Sequence, residues 1–185
     1  MQKDSIKNIL LVGIGLCVVC GAVISTVAVS LKDQQEQNVI FDQQSKIIDA
    51  ARLLEVYPSS QDALASIEEV IVNLDEGQPS DFPADQYDLD TILRDSSQHT
   101  VLDGSDDIAM ISVRENLSKV YIEYRNNELK TLILPVRGYG LWGTLYGYLA
   151  LDSDLNTIVG LEFYKHKETP GLGAEVDNPN WKKLW

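Results

Sequence analysis

The residues with the strongest chemical character lie in two glycine-bearing stretches late in the sequence. The first, Gly138-Tyr139-Gly140-Leu141-Trp142-Gly143, formally matches G-x-G-x-x-G. Dinucleotide binding by that spacing needs a helix after the glycines, with its N-terminus facing the pyrophosphate. Here the next residues, 144–151, alternate as a strand, so the dinucleotide reading is rejected. What remains is a Gly-rich lead into a strand, where backbone comes close to a flat ligand or a neighbouring strand. The second stretch is His166-Lys167-Glu168-Thr169-Pro170-Gly171-Leu172-Gly173. Pro170 followed by Gly171 suits the two central positions of a type II turn. Such a loop turns backbone N–H groups outward with little side-chain cover, which suits a flat, carbonyl-bearing ring. A Pro-Gly pair also marks any ordinary turn, and that plainer reading stands beside the first.

Other groupings carry less. Asp152-Ser153-Asp154-Leu155-Asn156 opens like a calcium loop, but its sixth position is Thr157 rather than Gly and its twelfth is Phe163 rather than Glu, so a hairpin turn accounts for it. His99 and His166 have no ligand partner at metal spacing. Cys17 and Cys20 share the CxxC spacing, yet both sit in an apolar run and read as small fillers. No cysteine follows, which excludes a disulfide framework or a cysteine-ligated metal in the rest of the chain.

The apolar run is the first element that positions everything else. Residues 9–31 are 23 positions without a charge. At about 1.5 Å per residue such a helix crosses a hydrocarbon core of about 30 Å. A cleaved signal peptide has a shorter apolar region, about 7–15 residues, and Thr26-Val27-Ala28 is a poor cleavage site, so an uncleaved anchor is expected. Lys3 and Lys7 precede the span; Lys32, Asp33 and Glu36 follow it. The positive flank predicts residues 1–8 in the cytosol, the helix at 9–31 and a periplasmic domain over 32–185. Gly13, Cys17, Gly21 and Ser25 recur every four residues, either as a close-packing ridge or as the small residues common in any spanning helix.

Of 185 residues, 44% are apolar and 23% charged, enough to bury a core. The net charge is −13; residues 1–31 carry +1, so −14 falls on the remainder. That balance excludes nucleic acid as a partner and opposes docking on anionic lipid. Residues 33–56 read as a helix continuing from the anchor, with Val39, Ile40, Phe41, Ile47, Ile48, Ala51, Leu53 and Leu54 as its apolar face and Pro58 as its stop. A second helix, capped by Ser59 and Asp62, is expected to run to about Leu74 and end near Gly77. Residues 75–107 hold ten acidic side chains against Arg94 alone and read as a solvated loop with short helical pieces. Strands follow at 119–124, 129–136, 145–151 and 157–165, joined by short turns. Helices first and hairpins later predict an α+β domain with an antiparallel sheet and flanking helices.

Together these blocks resemble the C subunit of the sodium-translocating NADH:quinone reductase, a flavoprotein family of bacterial respiratory membranes. Three blocks carry the resemblance: Lys3-Asp4-Ser5-Ile6-Lys7 with the spanning helix and Leu31-Lys32-Asp33-Gln34; Leu134-Pro135-Val136 through Trp142 to Ala150; and His166 through Glu175 with Asn178-Pro179-Asn180-Trp181. The Glu-Thr-Pro-Gly-Leu-Gly block is shared with the G subunit of the Rnf complex, a related alternative, and a membrane-anchored scaffold without cofactor is the other. The resemblance implies a translocase subunit in the cell inner membrane: a single-electron relay within a six-subunit assembly that couples ubiquinone reduction by NADH to sodium export. It implies one FMN, attached through its phosphate by a flavin transferase to a threonine in a Ser/Asp-Gly-Ala-Thr segment. None of the seven threonines here has that context, so the chain is expected to be truncated and by itself inactive. Trp181, Leu184 and Trp185, apolar at the terminus, point the same way. By resemblance the isoalloxazine lies near Glu168, Thr169, Gly171, Leu172 and Gly173, with Leu141 and Trp142 as a pocket wall; no catalytic acid or base and no metal is expected.

Overall fold

The computed structural model describes residues 5–183; the expectations placed on Lys3, Asp4, Leu184 and Trp185 lie outside them. The chain divides into two compact units, one reaching to Phe41 and the other starting at Asp42.

In the first unit the uncharged run is helical within α1, Ile6–Ala50, and its side chains are exposed throughout. By length and composition this helix can cross a membrane. Two of its hydroxyls are paired internally, Thr26 donating to the Ala22 carbonyl at 2.8 Å and Ser30 to that of Val27 at 2.9 Å. Hydrocarbon offers such groups no other partner. Val39, Ile40 and Phe41, expected on a buried face, are exposed.

The second unit is an antiparallel sheet with its core on one face. Its strands are β1 (Ile67–Asn73), β2 (Gln78–Pro79), β5 (Leu117–Arg125), β6 (Glu128–Tyr139), β7 (Thr144–Asp152) and β8 (Ile158–Lys165), ordered β2-β1-β5-β6-β7-β8. Short β3 (His99–Val101) and β4 (Val113–Glu115) pair separately. Cross-strand partners share a face, so Tyr121, Ile133, Ala150 and Gly160 form one row across four strands. Ile47, Ile48, Ala50, Ala51, Leu53 and Ala63 pack in the same core cluster as Ile133, Tyr148 and Ala150. Burying these side chains supplies the main driving force for the unit.

Two helix expectations are corrected. The first helix ends at Ala50, not 56: Arg52 takes a left-handed φ of 51°, and only a 3₁₀ turn, Leu53–Glu55, follows. The bend turns Leu53 into the core and leaves Leu54 exposed. The second helix, α2, covers only Ser60–Ala65, and residues expected to continue it form β1. The Ser59 cap is present, its hydroxyl accepting the Asp62 N–H at 3.2 Å. Ile67, Val70, Ile71 and Val72 have helix-compatible spacing, but β-branched side chains lose rotamer freedom in a helix. Each residue of β1 instead pairs with β5, Ile67 opposite Glu123 through Asn73 opposite Leu117.

The 75–107 region is mostly loop with short helical pieces, as expected: a 3₁₀ turn at Ala84–Gln86 and helix α3 at Leu89–Arg94. It also contributes the short strands β2 and β3, which were not expected. The β5–β6 turn uses Asn126 and Asn127, both at positive φ, as a type I′ hairpin requires. Glu123 on β5 is fully buried. It accepts from Tyr57 Oη at 2.9 Å, Arg125 Nε at 2.5 Å and Thr131 Oγ1 at 3.1 Å. Burial alone would raise its pKa, but these donors and the Arg125 charge outweigh that and hold it below the usual carboxylate range.

Candidate functional site

The two glycine-bearing stretches meet at one end of the sheet. The β6–β7 connection is a tight loop: Gly140 N–H donates to the Gly143 carbonyl at 2.8 Å, and Tyr139 pairs with Thr144 just outside it. The second stretch leaves β8 and closes a turn in which Leu172 N–H donates to the Thr169 carbonyl at 3.0 Å. Gly171 has φ +76°, so Thr169-Pro170-Gly171-Leu172 is the type II turn its sequence predicts. Ala174 N–H donates to the same Thr169 carbonyl at 3.2 Å, starting a 3₁₀ turn, Gly173–Asp177.

Glu168 joins the stretches. Its Oε1 accepts the backbone N–H of Trp142 at 3.1 Å. A Cβ at Gly140 would overlap Oε1, and a Cβ at Gly173 would overlap Oε2. Both glycines are needed for close approach: the carboxylate occupies the space their side chains would take. Lys167 lays its stem beside Gly143, within 3.1 Å of where a Cβ would be. His166 fixes the base of the turn, its Nδ1 accepting the Glu168 N–H at 3.2 Å and its Nε2 lying 2.7 Å from Asp177 Oδ2. An accepting Nδ1 places the proton on Nε2, which then donates to Asp177.

The apolar side chains of both stretches point to solvent: Leu141 is 79% exposed, Trp142 63% and Leu172 71%. Thr169 and Gly171 are exposed too. All seven residues expected at a flavin pocket therefore lie in these two adjoining loops. Exposed apolar faces beside bare glycine backbone suit a flat ring with polar edges. The sequence reading missed His166, Asp177 and Gly140 as the residues that set the geometry. The Glu-Thr-Pro-Gly pattern signalled the turn; the bond from Trp142 has no signal, since a backbone N–H is present at every residue but proline. His166 is bonded to Asp177 rather than isolated, and among the described residues no cluster of three or more His, Cys, Asp or Glu could hold a metal.

A ladder of tyrosines crosses the sheet from this end. Tyr146 is tilted toward Tyr164 at 6.1 Å between ring centroids, Tyr164 stacks on Tyr148 at 4.8 Å, and Tyr148 meets Tyr121 edge-on at 5.7 Å. Burial first, then neighbouring phenols and carboxylates, raises the pKa of Tyr121, Tyr148 and Tyr164, so these three phenols are neutral across the physiological range.

Comparison with known proteins places the same residues in context. The FMN-binding domain family matches residues 140–184. The Na(+)-translocating NADH-quinone reductase C subunit of Pseudomonas aeruginosa is 43% identical over 189 residues, covering 100% of this chain and 72% of that protein. The protein of the same name from Vibrio vulnificus strain YJ016 is 39% identical over 182 residues, 98% of this chain and 71% of that protein. The crystal structure of Shewanella oneidensis NqrC superposes with a TM-score of 0.68 at 32% identity, over 77% of this chain and 66% of that one.

Proposed function

The chain belongs to the family of the Na(+)-translocating NADH-quinone reductase C subunit, and from that premise we propose that it is the flavin-carrying electron-relay subunit of such a sodium pump. One observation carries the reading at the level of residues. The loop Gly140–Gly143 and the turn Glu168–Gly173 adjoin, and both fall within the segment similar to FMN-binding domains.

Bound FMN would supply the one-electron chemistry. The chain's part is to hold and tune it. Leu141, Trp142 and Leu172 offer apolar surface to a ring face, and the Thr169–Leu172 turn offers backbone to its polar edge. Glu168 holds the two loops in register. As a charged carboxylate it also disfavours added negative charge nearby, which lowers the potential of a neighbouring redox group. The helix within residues 9–31 would anchor the chain in the inner membrane. Lys3, Lys7 and the amino terminus before the span, against Lys32 directly beyond it, support a cytosolic N-terminus and a periplasmic domain. The other subunits of the six-subunit pump would supply the quinone, NADH and sodium sites, with a flavin transferase for maturation.

Expression of the full-length protein with the flavin transferase tests this. A fluorescent, flavin-bearing band on a denaturing gel, with a reversible one-electron step in a redox titration, is expected. A membrane-inserted protein without flavin would leave only an anchored scaffold.

A further inference from the structure

The segment between β3 and β4 carries two large apolar side chains that the fold leaves in water. Ile108 is 91% exposed and Met110 62%. The segment is nonetheless firmly held. Both oxygens of Asp107 are used, accepting the N–H of Ile111 at 2.8 Å and of Ser112 at 2.7 Å. The Ser112 carbonyl accepts from Leu102 at 3.0 Å, and the Ala109 carbonyl accepts from Tyr139 at 2.8 Å. Arg137 reaches back from β6 to the Val113 carbonyl at 2.6 Å and to Glu115 at 2.8 Å. Met110 and Ser112 both sit at positive φ, 51° and 64°. That conformation is unfavourable for a residue with a side chain and persists only where surrounding bonds enforce it. A strained, pinned loop that presents isoleucine and methionine to water gains nothing for folding; it becomes favourable when another surface buries them.

The position of the loop indicates what that surface meets. The Ala109–Tyr139 bond ties the loop backbone to the end of β6, where Tyr139, itself 52% exposed, leads directly to Leu141 and Trp142. Exposed apolar side chains thus occur on the loop, at the strand end bonded to it and in the candidate flavin site that follows. The loop's surroundings are acidic: Asp103 and Asp106 precede it, in a stretch with ten acidic residues that holds one basic residue, Arg94, and gains one ion pair from outside, Arg114 to Asp75. An anionic lipid surface is repelled by that field, whereas a protein face with basic residues is attracted and oriented by it. Methionine and tyrosine flanked by charge are the composition of a protein interface with an apolar centre and a polar rim.

We propose that Ile108, Met110 and Tyr139 form a docking surface for another protein subunit of the pump, one presenting an apolar recess rimmed by lysine and arginine. The contact would bring the candidate flavin site against that partner. This rests on the family reading given above.

The test is made on the full-length chain in the assembled complex, with a photo-cross-linking benzoylphenylalanine in place of Ile108. The expected adduct joins the chain to another subunit, through a peptide in which apolar residues are flanked by Lys or Arg. An adduct to lipid, an adduct to a second copy of this chain, or none at all overturns the proposal. In parallel, the double variant Ile108→Ser, Met110→Ser should keep its thermal midpoint, since neither side chain is buried. It should lose the other subunits at least tenfold faster during washing at raised salt; wild-type retention overturns the proposal. In-gel flavin fluorescence of the same samples reads the relay function separately, since its loss with docking intact would count against that function alone.

Discussion

Glu168 Oε1 accepts the backbone N–H of Trp142 at 3.1 Å, across 26 residues of sequence, while its carboxylate fills the space beside two glycines, Gly140 and Gly173. One side chain thereby sets the distance between the β6–β7 loop and the turn after β8. The two loops carry every residue assigned to the candidate flavin pocket.

Replacing that carboxylate separates its two effects. Glu168→Gln keeps an oxygen that can accept from Trp142 but removes the charge; Glu168→Ala removes both. Loss of a partly exposed hydrogen bond of this kind costs about 1 kcal/mol. Hydrogen exchange at the Trp142 amide should quicken in the Ala variant and stay near wild type in the Gln variant. The flavin potential of the full-length Gln variant should rise, because a negative charge has been removed. Equal exchange rates in all three proteins would show that the bond does not hold the loop.

Gly140→Ala and Gly173→Ala each place a methyl group where the Glu168 carboxylate lies. Overpacking at a site that relaxes only in part costs about 1–3 kcal/mol. Pairing Gly173→Ala with Glu168→Ala should recover much of that loss, because the carboxylate is gone; Gly140→Ala should recover less, because the Leu145 side chain stands equally close to its added methyl. A double-mutant cycle by chemical denaturation measures the coupling, and strict additivity would refute the contact.

Gly171→Val tests the turn itself. A β-branched residue at φ +76° strains the backbone by about 1–3 kcal/mol. The variant should insert in the membrane and still take up flavin, with slower NADH-driven quinone reduction in the assembled pump. Wild-type turnover with an unchanged flavin potential would remove the turn from the pocket.

Glu123 predicts the acid limit of the second unit. Its pKa is lowered on folding from the ordinary 4.5 by Arg125, Tyr57 and Thr131 despite burial. A depressed carboxylate stabilises the fold above its unfolded pKa, and that contribution is lost as pH falls through the lower folded value. Urea midpoints should therefore drop below about pH 4.5 more steeply in wild type than in Glu123→Gln. Glu123→Ala leaves the Tyr57 and Thr131 hydroxyls without their shared acceptor and should cost about 1–3 kcal/mol at pH 7. A flat wild-type profile down to pH 3 would dismiss the role.

The charges flanking the span predict a cytosolic N-terminus. Fusions after residue 60 should be active with periplasmic alkaline phosphatase and dark with a fluorescent protein that folds only in the cytosol. The opposite pattern reverses the topology.

The sequence by itself determined what depends on neighbours along the chain. A 23-residue uncharged run can only be a long apolar helix, because its backbone has to bond within itself. Ser59 as a cap, Asn126-Asn127 as a hairpin and Pro170-Gly171 as a type II turn are local matters of φ and of side-chain oxygen, and each stands where its residues place it. The β5–β6 and β7–β8 hairpins were legible for the same reason, since short turns leave adjacent strands little choice but to pair. Tertiary structure decided the rest. Residues 67–73 carry a spacing that a helix accepts, and they are a strand because β5, fifty residues later, offers them seven backbone partners. Arg52 breaks the first helix because the bend delivers Leu53 to the core, a benefit visible only once the sheet exists. Ile108 and Met110 read as ordinary loop residues until Asp107, Tyr139 and Arg137 are seen to hold their loop in place. The candidate site is of this second kind. Its residues were named by resemblance, but their meeting depends on a carboxylate and a backbone N–H from different strand ends, and a spatial contact between distant segments leaves no local pattern in the chain.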